Sequence, residues 1–185
     1  MEERIVVAGF GGQGVMAIGQ LLTYAGMIED KHVSWLPSYG PEMRGGTANC
    51  NVIVSDDAIG APVIEEASAA IVMNKPSLDK FENNIVKDGK LFINSSLIEQ
   101  KAEREDIDVY YIPANEIANE LGNDKVANMV ILGAYLEATK LVKQESVLEA
   151  FTKVFGENKA HLLPLNKEAI EKGAEAAKSQ ERVTM

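Results

Sequence analysis

The residues best placed to do chemistry are Gly9-Phe10-Gly11-Gly12-Gln13-Gly14. They follow the apolar run Ile5-Val6-Val7-Ala8 and open an apolar-periodic segment from Val15 to Met27, so they read as a strand, a glycine turn and a helix. That arrangement gathers unpaired backbone N–H groups and a helix N-terminus at one point, where the amides and the helix dipole both favour negative charge. Gly9, Gly11 and Gly14 also satisfy the dinucleotide pattern G-x-G-x-x-G. The rest of that pattern requires an Asp or Glu ending the second strand, about 20 residues on, to bond a ribose hydroxyl. Here the second strand ends Trp35-Leu36-Pro37-Ser38, and Glu29 and Asp30 fall in the turn before it. The loop is left open to a dinucleotide, to another phosphate-bearing ligand, to a subunit contact, or to no more than a tight turn.

A second glycine-rich loop, Pro37-Ser38-Tyr39-Gly40-Pro41-Glu42-Met43-Arg44-Gly45-Gly46, is expected beside the first. Arg44 presents a planar fork of donors suited to carboxylate or phosphate, and the flanking glycines allow close backbone approach. A salt bridge to Glu42 or to another chain is the competing role for Arg44. Tyr39 could stack on a ring or simply pack. The candidate ligand-binding set is Gly9, Gly11, Gly12, Gln13, Gly14, Ser38, Tyr39, Arg44 and Gly45, with Asn49, Asn51 and Asn74 near the same edge.

Other chemistry is sparse. His32 and His161 have no second histidine at ligand spacing, and neither a G-x-S-x-G elbow nor a G-x-x-x-x-G-K-[ST] loop occurs. Cys50 is the only cysteine, in a strand where burial would make it inert. Asp56-Asp57 and Glu65-Glu66 read as solvated charge pairs. No self-sufficient catalytic set and no metal site emerge.

The elements that must position these loops follow from periodicity and turn residues. Strands are expected at Arg4 to Ala8, Lys31 to Leu36 (ended by Pro37), Thr47 to Ser55, Ala69 to Met73, Lys90 to Ile93 and Val109 to Ile112. Helices are expected from Gly12 to Met27, from Pro76 through Phe81 and Ile85, from Pro113 through Leu121, from Lys125 to Val142, from Ser146 to Phe155 and from Asn158 to Ala177, with a frayed tail from Lys178. Gly19, mid-helix at a cost of about 1 kcal/mol against Ala, implies close packing on the sheet. The link between the second and third strands is too short for a crossover helix, so the third should be antiparallel to its neighbour or kinked away from it. The pattern predicts one domain over residues 1–185, an α/β fold in three layers, an α/β/α sandwich with a mostly parallel, mixed sheet and a Rossmann-like first βαβ unit.

At 185 residues, 46% hydrophobic and 25% charged, the composition is that of an ordinary globular chain. A net charge of −10 argues against nucleic acid or an anionic membrane as partner, since both demand basic patches. It also requires any phosphate site to rely on local amides and a well-placed cation. One cysteine excludes an intramolecular disulfide and a cysteine-bound cluster within the chain. No apolar run reaches the roughly 18 residues of a membrane span, and Met1-Glu2-Glu3-Arg4 leads straight into a strand, so a cytoplasmic location is expected.

Taken together, Val7 to Gly14 and Ser38 to Ala48 resemble the gamma subunit of 2-oxoacid:ferredoxin oxidoreductases, over roughly Arg4 to Gly173. Ser55-Asp56 and Leu132-Gly133-Ala134 add to the likeness, and Glu42 with Thr47-Ala48-Asn49-Cys50 looks most like the 2-oxoglutarate branch, with the pyruvate, branched-chain and indolepyruvate branches close to it. The resemblance implies a holoenzyme that forms an acyl-CoA from a 2-oxoacid, with thiamine diphosphate and iron–sulfur clusters on other subunits. It implies alpha, beta and ferredoxin-like partners, and a role for this chain in assembly and in contacting coenzyme A. A homodimer of the isolated chain is left open. The alternative is a self-contained NAD(P)- or flavin-binding oxidoreductase.

Overall fold

The computed structural model describes residues 1–38 and 47–183, with side chains described to residue 180. Strand β1 (Glu2–Phe10) lies inside the sheet because Ile5 to Ala8 are apolar on both faces and all four are buried. Around it stand β2 (His32–Ser38), β3 (Thr47–Ser55), β4 (Ala67–Val72), β5 (Ile85–Asn94) and β6 (Asp108–Ile112), in the order β2-β3-β1-β4-β5-β6. β1, β4, β5 and β6 are parallel, whereas β3 is antiparallel to both β1 and β2. Of the two outcomes expected of the short link before β3, antiparallel pairing is the one found.

The helices are α1 (Val15–Ile28), α2 (Lys75–Phe81), α3 (Ala114–Glu120), α4 (Ala127–Thr139), α5 (Gln144–Phe155) and α6 (Leu163–Val183). Ile5 and Val7 face a core shared with α1, α3, α4, α5 and α6, while Val6 and Ala8 face α2, through Leu78 and Phe81, together with Ile98 and Ile107. The three layers are therefore unequal, five helices against one helix and the irregular segment between β5 and β6. Gly19 does pack tightly: a Cβ there would lie 2.6 Å from the Cys50 sulfur on β3.

Several expected boundaries move, each for a local reason. Helix α1 starts at Val15 rather than Gly12, because Gly12 (φ 90) and Gly14 (φ 76) hold left-handed backbone. β2 continues through Pro37 to Ser38; it is an edge strand, where a missing N–H is tolerated. Helix α2 stops at Phe81, and β5 begins at Ile85 and accommodates Asp88 (φ 65) and Gly89 within its length. Lys125 lies in a single 3-10 turn ahead of α4, which ends at Lys140 in a left-handed cap (φ 53). His161 also sits in a 3-10 turn, before α6. Helix α6 runs past Lys178, where a frayed tail was expected. Ala177 is buried, and the Tyr111 N–H of edge strand β6 donates to Gln180 Oε1 at 2.8 Å. Tyr39, Arg44 and Gly45 lie outside the described residues.

Candidate functional site

Parallel pairing places the C-terminal ends of β1, β4, β5 and β6 at one pole, and the Phe10–Thr47 pairing brings the start of β3 there as well. The chain leaves β1 through α1 on one face and leaves β4 through α2 on the other. Such a reversal opens a crevice beyond the strand ends, where ligands of α/β sheets bind.

The glycine loop forms the floor of this crevice. The first bond into α1 runs from the Ile18 N–H to the Gly14 carbonyl at 3.1 Å, and no side chain caps the helix. Among the described residues, the N–H groups of Val15, Met16 and Ala17 therefore have no partner, and the first turn carries no acidic residue. Gln13 turns inward. Its Oε1 accepts the Phe10 N–H at 2.6 Å and its Nε2 donates to the Met73 carbonyl at 3.3 Å, which joins the end of β1 to the end of β4. Gly9 leaves room for that side chain, since a Cβ would lie 2.7 Å from Gln13 Oε1. Gly11 and Gly12 are exposed.

A cavity of about 250 Å³ opens over this floor, lined by Gly12, Gln13, Met73, Asn115, Lys125 and Asn128, with Asp124 at its side. Asn115 Oδ1 accepts from Asn94 Nδ2 at 2.8 Å, so the Asn115 amide nitrogen is left as a donor at the wall. Asn94 itself is fully buried, and its Oδ1 has no partner. Lys125 makes no ion pair among the described residues. The Asn115 carboxamide donor and Lys125 favour an anion at this wall, and among the described lining residues Asp124 is the one carboxylate opposing them.

The other sequence candidates spread out. Ser38 is exposed at the end of β2, two strands from β1 and hence about 10 Å away. Asn49 and Asn51 pair with Ala8 and Val6 on β3. Asn74 is buried and accepts the Ser77 N–H as the cap of α2, so it supports a helix and not the crevice. Burial pushes the Cys50 thiol up to about 11, which makes it the inert residue expected. Glu3 and Tyr135 form a polar pair, 3.4 Å apart, at the opposite pole. No group of three or more His, Cys, Asp or Glu residues fit to hold a metal occurs among the described residues.

Sequence reading missed Asn115, Lys125 and Asn128. Asn128 Nδ2 lies 3.4 Å from the Gly14 carbonyl, 114 positions away, and no local spacing announces such a contact. The sole sequence trace is the polar run Asn123-Asp124-Lys125 ahead of an apolar helix.

The model of the pyruvate ferredoxin/flavodoxin oxidoreductase family matches residues 4–176. The chain belongs to that family. A 2-oxoglutarate synthase subunit, KorC, from Methanocaldococcus jannaschii is 33% identical, with 96% of this chain and 95% of the relative aligned. The ketoisovalerate oxidoreductase subunit VorA of Methanothermobacter marburgensis is 34% identical over 96% of this chain, which spans only 37% of that relative's length. Among solved structures, a keto/oxoacid ferredoxin oxidoreductase gamma subunit from Geobacter sulfurreducens superposes with a TM-score of 0.80 at 29% identity, covering 96% of this chain and 99% of the other. A 2-oxoglutarate:ferredoxin oxidoreductase from Magnetococcus marinus, described with 2-oxoglutarate, coenzyme A and succinyl-CoA bound, shares the fold at a TM-score of 0.87 and 24% identity. That match covers 96% of this chain and 31% of the other. The resemblance to a gamma subunit is borne out, and a self-contained dinucleotide enzyme is not favoured.

Proposed function

We propose that the chain is the gamma subunit of a multi-subunit 2-oxoacid:ferredoxin oxidoreductase that converts 2-oxoglutarate and coenzyme A to succinyl-CoA, CO2 and reduced acceptor, and that its crevice holds a phosphate of coenzyme A. The observation carrying the site is the convergence of the glycine turn at Gly12-Gln13, the Asn115 amide and Lys125, which has no ion-pair partner among the described residues, on one cavity that Asp124 also lines. In a chain of net charge −10, a lysine with no ion-pair partner among the described residues is the local cation that a phosphate requires. The 2-oxoglutarate branch is supported by KorC, which aligns along almost its whole length.

The reaction centre lies on other chains in this reading. A single buried cysteine leaves cluster ligation to a ferredoxin-like subunit, and the family resemblance assigns thiamine diphosphate to the alpha and beta subunits. Those subunits are the partners, and this chain contributes assembly and coenzyme A contact. Ser38, at the end of β2, would extend the same pole.

The test uses the assembled complex. Lys125→Ala should leave assembly and kcat intact and raise the KM for coenzyme A about tenfold, the size expected for loss of one charge-assisted bond. An unchanged KM for coenzyme A would remove Lys125 from the site.

A further inference from the structure

Asn94 ends β5 with its side chain wholly buried, on the face of the sheet that carries Phe92. Its backbone is fixed from both sides: the Asn94 carbonyl accepts the Leu97 and Ile98 N–H groups at 3.2 and 3.0 Å, and the residue pairs with Ile112 of β6. Phe92, the next residue on the same face, stacks on Tyr110 with ring centroids 4.8 Å apart. A carboxamide held in such a frame can turn end for end, and little else.

The Asn94 side chain makes one hydrogen bond, from Nδ2 to Asn115 Oδ1 at 2.8 Å, and its own Oδ1 has no partner among the described residues. Asn115, half-buried at the second position of α3, lines the crevice. Two facing carboxamides can share one hydrogen bond in two ways. Either Asn94 donates and Asn115 turns its Nδ2 to the crevice, or Asn115 donates inward and turns its Oδ1 outward. The first arrangement holds here. It leaves a buried acceptor unpaired, and the second would leave a buried N–H unpaired instead, so burial alone does not choose between them. The charge of whatever occupies the crevice does, because an anion takes the donor outward and a cation the acceptor.

We infer that Asn94 is a positioning residue, which by donating to Asn115 Oδ1 aims the Asn115 Nδ2 at the crevice and so makes that wall select an anion. The inference rests on the phosphate reading of the crevice and adds to it the residue behind the wall. Asn94 touches no ligand and acts through Asn115 alone.

Calorimetric titration of coenzyme A into the full chain at about pH 8 tests this coupling, since an introduced carboxyl is then ionised. Asn115→Ala should weaken binding about tenfold, the loss of one hydrogen bond to a charged group. Asn94→Asp offers acceptors only, so Asn115 must donate inward and meet the anion with its oxygen, and binding should fall by at least as much. Asn94→Ala removes the donor and leaves Asn115 free to turn, for a smaller loss of about threefold. In the Asn115→Ala chain, neither substitution at Asn94 should change the affinity by more than about twofold. Losses that add in the double variants overturn the inference, because a loosened crevice or a through-space charge acts whether or not Asn115 is present. Unchanged affinity in Asn94→Ala and Asn94→Asp overturns it too. If thermal unfolding shows that Asn94→Asp does not fold, Asn94→Ala with and without Asn115→Ala decides in the same way. Native affinity in Asn115→Ala also overturns the inference, and the loss expected of Lys125→Ala then stands or falls by itself. No coenzyme A binding to the unmodified chain removes the crevice reading and this role together.

Discussion

Asn128 Nδ2 stands over Gly14, 3.4 Å from its carbonyl oxygen, and ties the start of α4 to the turn between β1 and α1. Gly14 has φ 76, and a Cβ there would lie 2.3 Å from that same nitrogen. Gly14→Ala therefore meets a backbone and a steric penalty at once, an expected loss of about 1–3 kcal/mol. Asn128→Ala in the same chain should recover part of the loss, since it removes the clash and leaves the backbone penalty. Urea unfolding of the two single variants and the double variant gives the coupling, and strictly additive losses would contradict the contact.

Gly173 and Gly133 let α6 and α4 touch backbone to backbone. A Cβ on Gly173 would fall 1.7 Å from the Val130 carbonyl oxygen, and one on Gly133 would fall 2.0 Å from that of Ile170. Neither backbone can yield without moving a helix, so Gly173→Ala should cost about 2–3 kcal/mol or more, despite the better helix propensity of alanine. Thermal unfolding checks this; a gain in stability would mean that the helices are not held this close.

Glu3 gives a pH dependence of known sign. Burial raises its carboxyl above the ordinary value, with hydrogen bonds from Ser68 and Tyr135 and the charge of Lys90 opposing the shift. The folded chain thus holds this proton more tightly than the unfolded one. The stabilisation is complete below the ordinary carboxylate value and is lost as pH rises through the raised folded value. Glu3→Gln should remove the effect, so the stability of the variant relative to the native chain should rise as the pH climbs from the ordinary carboxylate value through the raised folded value, and then level off. A difference that stays flat as the pH rises above the ordinary carboxylate value would contradict burial as the cause.

Gln180 closes the outer edge of β6. Its Oε1 accepts the Tyr111 N–H at 2.8 Å and its Nε2 donates to the Tyr111 carbonyl, standing in for a neighbouring strand. Gln180→Ala should cost about 1–2 kcal/mol and expose an edge open to strand pairing, so concentration-dependent association should increase. Thermal unfolding and sedimentation at several concentrations measure both, and a variant unchanged in each would show the contact to be incidental.

How far the chain could be read depended on distance along it. The β1–turn–α1 unit was legible because an apolar run, three glycines and a helical period are all local, and the length of one link narrowed β3 to antiparallel pairing or a kink away. Pro37 misled because only the sheet order reveals β2 as an edge strand. The end of α6 was hidden for a similar reason, since Gln180 finds its partner 69 residues earlier. Gln13 was placed in the correct loop, but its inward turn depends on Met73, a residue of another strand end. Asn115, Lys125 and Asn128 reach the crevice only because parallel pairing stacks separate loops at one pole, which no single stretch of sequence encodes.

Calorimetric titration of coenzyme A into the full chain, its Lys125→Glu variant and a Lys87→Glu control tests the central claim most directly. Lys87 lies near the start of β5, at the pole away from the crevice. Saturable binding to the native chain and the control, weakened at least tenfold in Lys125→Glu, is the predicted result. Absence of binding to the native chain, or an equal loss in both variants, would contradict a phosphate site at the β1–β4 crevice.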